Sequence, residues 1–283
     1  MAGVLWKIGS QLIDVSQRGM LMGVLNVTPD SFSDGGEFFG IEPAVKHGLQ
    51  MIEEGADIID IGGESTRPGA DAVSESEELE RVVPVILKLR AAVPAVLISI
   101  DTSKANVARA ALNAGAQIIN DITGLRGDEK MMPLAAERGA GLIIMHMQGT
   151  PRTMQASPHY EDVVAEVRDF FRQQYARALE CGIDPMTIAF DPGIGFGKTL
   201  DHNLELLGNL AHLRIENQPL VVGVSRKSFL AKILGAAEPG IRLAPTVALT
   251  ALLRERGANV LRVHDVKPNT AALRTAEALR ANR

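Results

Sequence analysis

Nearly every long apolar run in this chain stops at a polar side chain able to do chemistry: Asn26, Asp60, Asp101, Asn120, His146, Asp191, Lys227 and His264. Taken singly, each has an ordinary explanation. Asp60 can anchor a loop, and Asp101, followed by Thr102-Ser103-Lys104, can cap a helix. Taken together, carboxylates and amides gathered at one mouth are electrostatically costly unless they bind something, and their natural ligand is rich in N–H donors. The first such run opens into a loop at Asn26, with Thr28, Asp30, Ser31, Ser33 and Asp34 placed around Phe32 and a Gly35-Gly36 exit. A loop of this composition can ligate a hard cation or close over a substrate.

The runs that carry these residues are short and continuously apolar, as strands buried on both faces are. Strands are expected at 20–25, 57–61, 95–100, 117–120, 141–145, 187–190, 220–224 and 259–263. Helical spacing of apolar residues predicts helices over 43–54, 74–92, 104–113, 129–138, 161–180, 203–213, 243–256 and 269–281. Ser74-x-x-Glu77 reads as a capping box. A hairpin of Val4–Ile8 and Leu12–Val15 around Gly9-Ser10 precedes them, suited to capping one end of a core. Eight strand–helix units with short links and no composition break favour a closed parallel barrel, a TIM (β/α)8 fold in a single domain over 1–283. An open doubly wound sheet is the alternative, but no GxGxxG turn follows the first strand and there is no Walker A loop. In a barrel the polar strand ends meet at one face.

Composition narrows the function. The 283 residues carry a net charge of −5, against a sequence-independent nucleic-acid binder. One cysteine, Cys181, can form no internal disulfide, which fits a reducing compartment, and no base accompanies it as a nucleophile would need. No apolar run approaches the roughly 20 residues of a membrane span, so a soluble cytoplasmic protein is expected.

Three runs carry a specific resemblance: NVTPDSFSDGG from Asn26, DIGGESTRPGA from Asp60 and GVSRKS from Gly223 to Ser228. With IDTS, IINDITG, MHMQGTP and DPGIGFGK between them and LRVHDV after, in that order, the chain resembles the dihydropteroate synthases over essentially its whole length. Support is weakest in the hairpin and in Leu234 to Ala244. The resemblance implies a TIM barrel, usually homodimeric. Such enzymes join p-aminobenzoate to 6-hydroxymethyl-7,8-dihydropterin pyrophosphate, releasing pyrophosphate in folate synthesis. A non-catalytic pterin-binding paralogue would lack the mobile loops or the SRKS turn, both present here. A methyltetrahydrofolate–cobalamin methyltransferase would lack the arylamine motif.

Carried over position by position, the resemblance implies a pterin pocket of Asp101, Asn120, Met145, Asp191, Gly223 and Lys227. A carboxylate such as Asp191 can accept two parallel N–H donors from a pterin edge, and Met145 can pack on a ring face. Pyrophosphate is assigned to Asn26, Thr66, Arg67, Arg262 and His264, the last two sharing one face of the final strand. Mg²⁺ is expected on phosphate oxygens, water and Asn26, since magnesium takes few protein ligands. The p-aminobenzoate ring is placed among Phe32, Pro68, Phe196 and Lys227, with Ser228 at its carboxylate. Asp101, Lys227, Asp34 and Arg67 are implied to be catalytic, the last two as partners joining the first two loops. The reaction expected is a dissociative substitution at the pterin methylene without a covalent enzyme intermediate. Sulfonamide sensitivity follows from the p-aminobenzoate site.

Overall fold

A computed structural model describes residues 3–28, 40–65, 69, 72–235 and 239–282. Phe32, Asp34, Thr66, Arg67 and Pro68, assigned above to the two loops, lie outside the described residues. Two strands, β1 (Leu5–Ile8) and β2 (Gln11–Asp14), pair antiparallel. Eight more form one parallel sheet: β3 (Met20–Asn26), β4 (Ile58–Gly62), β5 (Leu97–Asp101), β6 (Ile118–Asp121), β7 (Gly141–Met145), β8 (Ile188–Asp191), β9 (Val221–Gly223) and β10 (Val260–Val263). Their order is β8-β7-β6-β5-β4-β3-β10-β9. A parallel bridge between Phe190 and Leu220 closes the ring, with the Phe190 N–H donating to the Pro219 carbonyl at 2.9 Å.

The helices between them are α1 (Ile41–Glu53), α2 (Glu75–Ala92), α3 (Ala105–Ala114), α4 (Met131–Arg138), α5 (Val163–Glu180), α6 (Leu200–Gly208), α7 (Ser228–Leu234), α8 (Leu243–Glu255) and α9 (Val266–Arg280). The barrel expected from the alternation is therefore present, with several revised boundaries. Helix α6 starts earlier than expected because Thr199 and His202 form a capping box, and it ends at Gly208, leaving 210–213 as a separate 3-10 turn. The short α7, too brief to show a helical period, stands between β9 and α8. Helix α9 begins at Val266, with Pro268 inside its first turn, where a missing N–H is tolerated. At α2 the Ser74 hydroxyl accepts from the Glu77 N–H as expected, but the Glu77 carboxylate turns to Arg81 instead of completing the box.

Alternation along each strand divides the core. Outward residues such as Leu21, Ile59, Ile98, Ile119, Leu142, Phe190 and Val222 pack under the helices. Inward residues at the N-terminal end, among them Met20, Met22, Ile58, Leu97, Ile118 and Val260, pack with Trp6, Ile8 and Val15 of the hairpin. The hairpin therefore plugs that end. Trp6 is fully buried, and its indole N–H donates to the Thr187 carbonyl at 2.8 Å. With that end filled by apolar side chains, the interior of the opposite end is left for polar ones.

Trp6→Ala should lower stability by about 3–5 kcal/mol, through lost burial and a cavity at the plug. Denaturant unfolding measures it. Turnover by the folded fraction should be unchanged, because the plug lies at the end of the barrel away from the polar residues.

Candidate active site

Above the apolar plug, the inward positions of five strands become polar. The register aligns Asp60 with Ser99, Gly62 with Asp101, Asp101 with Asn120, and Met145 with Asp191. Arg262 enters from β10, whose neighbours in register are Met22 and Gly223. Its Nε donates to Asp60 Oδ2 at 2.6 Å and its Nη2 to Asp101 Oδ2 at 2.7 Å. Asn120 Nδ2 donates to the same Asp60 oxygen at 3.1 Å. The other oxygens, Asp60 Oδ1 and Asp101 Oδ1, and the Ser99 hydroxyl are buried and accept nothing from the described residues. Buried acceptors of this kind suit a ligand that brings its own donors.

The electrostatics follow from this packing. Burial pushes the Asp101 carboxyl up to about 7, against the pull of Arg262 and with help from Asp60, Glu78 and Asp121. Burial also raises Asp191, offset by Lys227 and by the Gly193 N–H, which donates to Asp191 Oδ1 at 2.7 Å. Burial opposes the charge of Arg262, but the Asp60 and Asp101 carboxylates outweigh it and hold the guanidinium above its ordinary value. Lys227 is depressed by burial to about 8, Asp191 opposing the fall and Arg262 adding to it.

Lys227 reaches back over the loop that follows β8, donating to the Ile194 carbonyl, with its ammonium 4.7 Å from the centre of the Phe196 ring. That ring packs on a small apolar cluster of Ile122, Met145, Met147 and Met154, giving the pocket one greasy wall beside its carboxylates. Lys227 and Ser228 flank the start of α7, after a turn in which Arg226 adopts a left-handed conformation (φ 58°). Such a backbone is unfavourable for arginine, and its side chain is secured by Asp265, with Nε 3.0 Å from Oδ2. One residue back in that turn, the Ser225 hydroxyl accepts from the His264 N–H and meets its Nδ1, both at 3.1 Å. Asn26 ends β3, its amide oxygen on the side of Gly62 that faces Asp101.

Asn26, Asp101, Asn120, Met145, Asp191, Gly223, Lys227 and Arg262 thus converge at the C-terminal end of the barrel, with Phe196, Ser228 and His264 around them. His146 does not join them. Because Met145 points inward, His146 points away, packed edge-on against Phe170 at 4.9 Å and bonded through Nδ1 to Lys198 Nζ at 3.0 Å. Burial, Lys198 and Arg126 depress it to about 2, which favours the neutral ring.

Sequence reasoning passed over several supporting residues. Lys104 bridges Glu64, in the loop after β4, to the fully buried Glu78 of α2, and Arg81 donates to the Gly63 carbonyl at 2.6 Å. These contacts fix the stem of the loop that carries Thr66, Arg67 and Pro68. Lys198 does the same for the loop after β8. Its signal in the sequence was the alternation Gly193, Gly195, Gly197, all at positive φ, in a loop whose carbonyls take donors from Lys198, Lys227, Gln155 and Tyr160.

Comparison with known proteins agrees with this geometry. Residues 22–264 match the pterin binding enzyme family. The dihydropteroate synthase of Escherichia coli is 49% identical over 91% of this chain and 90% of its own length. The crystal structure of the Xanthomonas albilineans dihydropteroate synthase with 4-aminobenzoic acid superposes with a TM-score of 0.92 at 43% identity, covering 99% of both chains. That of Yersinia pestis, in a sulfonamide drug complex, gives 0.91 at 44% identity over 98% of this chain and 99% of that one. Matches this similar over nearly the whole chain leave one assignment: the chain belongs to the dihydropteroate synthases, a family of pterin-binding transferases.

Proposed function

We propose that this chain condenses 6-hydroxymethyl-7,8-dihydropterin pyrophosphate with p-aminobenzoate to give 7,8-dihydropteroate and pyrophosphate, at the C-terminal mouth of its barrel. The observation that carries the reading is the polar layer of Asp60, Asp101, Asn120 and Asp191 around Arg262, which has buried accepting oxygens to spare. A pterin edge presents adjacent N–H donors, and Asp191 and Asn120 are the groups to receive them. Lys227 reaches the ring's oxygen or nitrogen, and Met145 covers one face. The p-aminobenzoate ring lies against Phe196 and the Lys227 stem, with Ser228 toward its carboxylate. Phe32, Pro68, Thr66, Asp34 and Arg67, which the family resemblance assigns to this half and to pyrophosphate, lie outside the described residues.

The bond that breaks joins the pterin methylene to pyrophosphate. As it lengthens, positive charge develops on the methylene and spreads into the ring, and Asp101 at the ring's edge stabilises it. Arg262 has a double use in this scheme: paired with Asp60 and Asp101 beforehand, it is also within the mouth to meet a phosphate oxygen, with His264 beside it. The arylamine, neutral near pH 7, then attacks without a strong base. A magnesium ion suits this donor set. Asn26 offers one hard neutral oxygen, and among the described residues no three acidic, histidine or cysteine side chains form a cage, so substrate oxygens and water would be its other ligands. Bound there, it would neutralise charge on the departing pyrophosphate.

A homodimer is proposed, with the exposed apolar side chains Ile233 and Leu234 of α7 and Leu243 and Leu252 of α8 as the surface it would cover. Among the described residues no helix is long and apolar enough to cross a membrane. A cytoplasmic location is proposed because the lone Cys181 is exposed and unpaired, as a reducing compartment allows.

Pyrophosphate release dependent on p-aminobenzoate, with dihydropteroate as product, tests the reading; release without that product overturns it. Asp101→Asn should lower kcat by about 10²-fold while the protein remains folded. Affinity for the dihydropterin alcohol, which lacks titrating phosphates, should fall below pH 7 as Asp101 takes a proton and above pH 8 as Lys227 loses one. Calorimetric titration reads both limbs, and Lys227→Arg should abolish the alkaline one, since arginine stays charged. Leu252→Asp should shift the protein toward monomer in sedimentation velocity.

A further inference from the structure

Lys198 is 3% exposed, sits on no strand or helix, and is spoken for by no step of the reaction. Its ammonium donates to the carbonyls of Gly193 at 3.1 Å, Phe196 at 3.0 Å and His146 at 3.4 Å, and meets His146 Nδ1 at 3.0 Å. Two of these carbonyls belong to the loop after β8 and the third to the end of β7, so one buried cation gathers two segments of the mouth. The same loop is drawn from its other side by Lys227, through the intervening Ile194 carbonyl. Gly193 makes the close approach possible: a Cβ there would fall 1.9 Å from the His146 carbonyl oxygen. Asn203 completes the frame from α6, its Oδ1 accepting from the Gly195 N–H at 2.7 Å.

Burying an amine is unfavourable, and burial together with the nearby Lys227 ammonium drives the basicity of Lys198 well down. A loop of this length has cheaper ways to hold its shape, such as water or a threonine hydroxyl. What the amine adds is several donors at one point, enough to meet the Gly193, Phe196 and His146 carbonyls together. Phe196, whose carbonyl is one of these, turns its ring to Lys227 and the methionine cluster.

We propose that Lys198 is a positioning residue for the arylamine half of the site: by tying Gly193, Phe196 and His146 together it fixes the Phe196 ring against Lys227 before p-aminobenzoate arrives. This rests on the placement of p-aminobenzoate at Phe196 proposed above. The order already present in the loop lowers the cost of arylamine binding without touching the substrate.

Steady-state kinetics of Lys198→Met, Phe196→Ala and the double variant test it, alongside calorimetric binding of the dihydropterin alcohol. Lys198→Met should raise KM for p-aminobenzoate by about tenfold with a much smaller change in kcat, and leave pterin affinity within about threefold. In the Phe196→Ala background the same change should have little further effect on that KM, the sign of two residues acting as one. A normal arylamine KM in folded Lys198→Met, or full additivity with Phe196→Ala, overturns the proposal while leaving the half-site intact. If Phe196→Ala by itself leaves that KM unchanged, the half-site reading falls, and the proposal with it. Should Lys198→Met not fold, two measurements stand in. Lys198→Gln, which retains two donors, should give a smaller rise in the same KM. The Gly195 and Phe196 amides of the wild-type protein should be protected from hydrogen exchange without ligand; unprotected amides there overturn the proposal.

Discussion

The constraint on which this site depends is a guanidinium inside the barrel. Arg262 lies between two buried carboxylates, Asp60 and Asp101, and each of the three would be intolerable in that interior without the others. An apolar replacement for the whole group would be at least as stable. Its presence is therefore a statement about ligand binding: three carboxylates, counting Asp191, face two cations, Arg262 and Lys227, in a layer with buried oxygens left over. A donor-rich heterocycle that becomes cationic as it reacts is the kind of guest such a layer favours.

That layer is tolerable only because the rest of the barrel is divided from it. The hairpin seals the N-terminal end with Trp6, and the inward side chains of that end form a dry cluster that needs nothing from the site. Stability is concentrated at one end and chemistry at the other, as parallel barrels allow, since every strand delivers its C-terminus to the same face.

Between the barrel and the substrate stand loops, and long cationic side chains fix their stems. Lys104 links the loop after β4 to Glu78, Lys198 gathers the loops after β7 and β8, and Asp265 holds Arg226 in the left-handed turn that presents Lys227 and Ser228. In each case a long side chain from one segment satisfies groups of another. With the stems held in this way, the residues nearest the reacting bond keep their geometry.

Much of this was legible in the residues themselves. Apolar runs of strand length alternating with helical periods gave the barrel, and the polar residue ending each run gave the mouth, because both depend on local periodicity and composition alone. The motifs around Asn26, Asp60 and Gly223 gave the family. Local pattern also misled: Met145 and His146 are adjacent and both looked like mouth residues, yet neighbours on a strand face opposite ways, and only the packed barrel decides which is inside. The brevity of α7 hid it, since a single turn or two shows no period. Above all, the pairing of Arg262 with Asp60 and Asp101 joins residues 202 and 161 positions apart. The sequence by itself determined which side chains stand at strand ends. Which of them neutralise one another was decided by closure and register of the barrel, because those distances are set by how eight strands stagger around a ring.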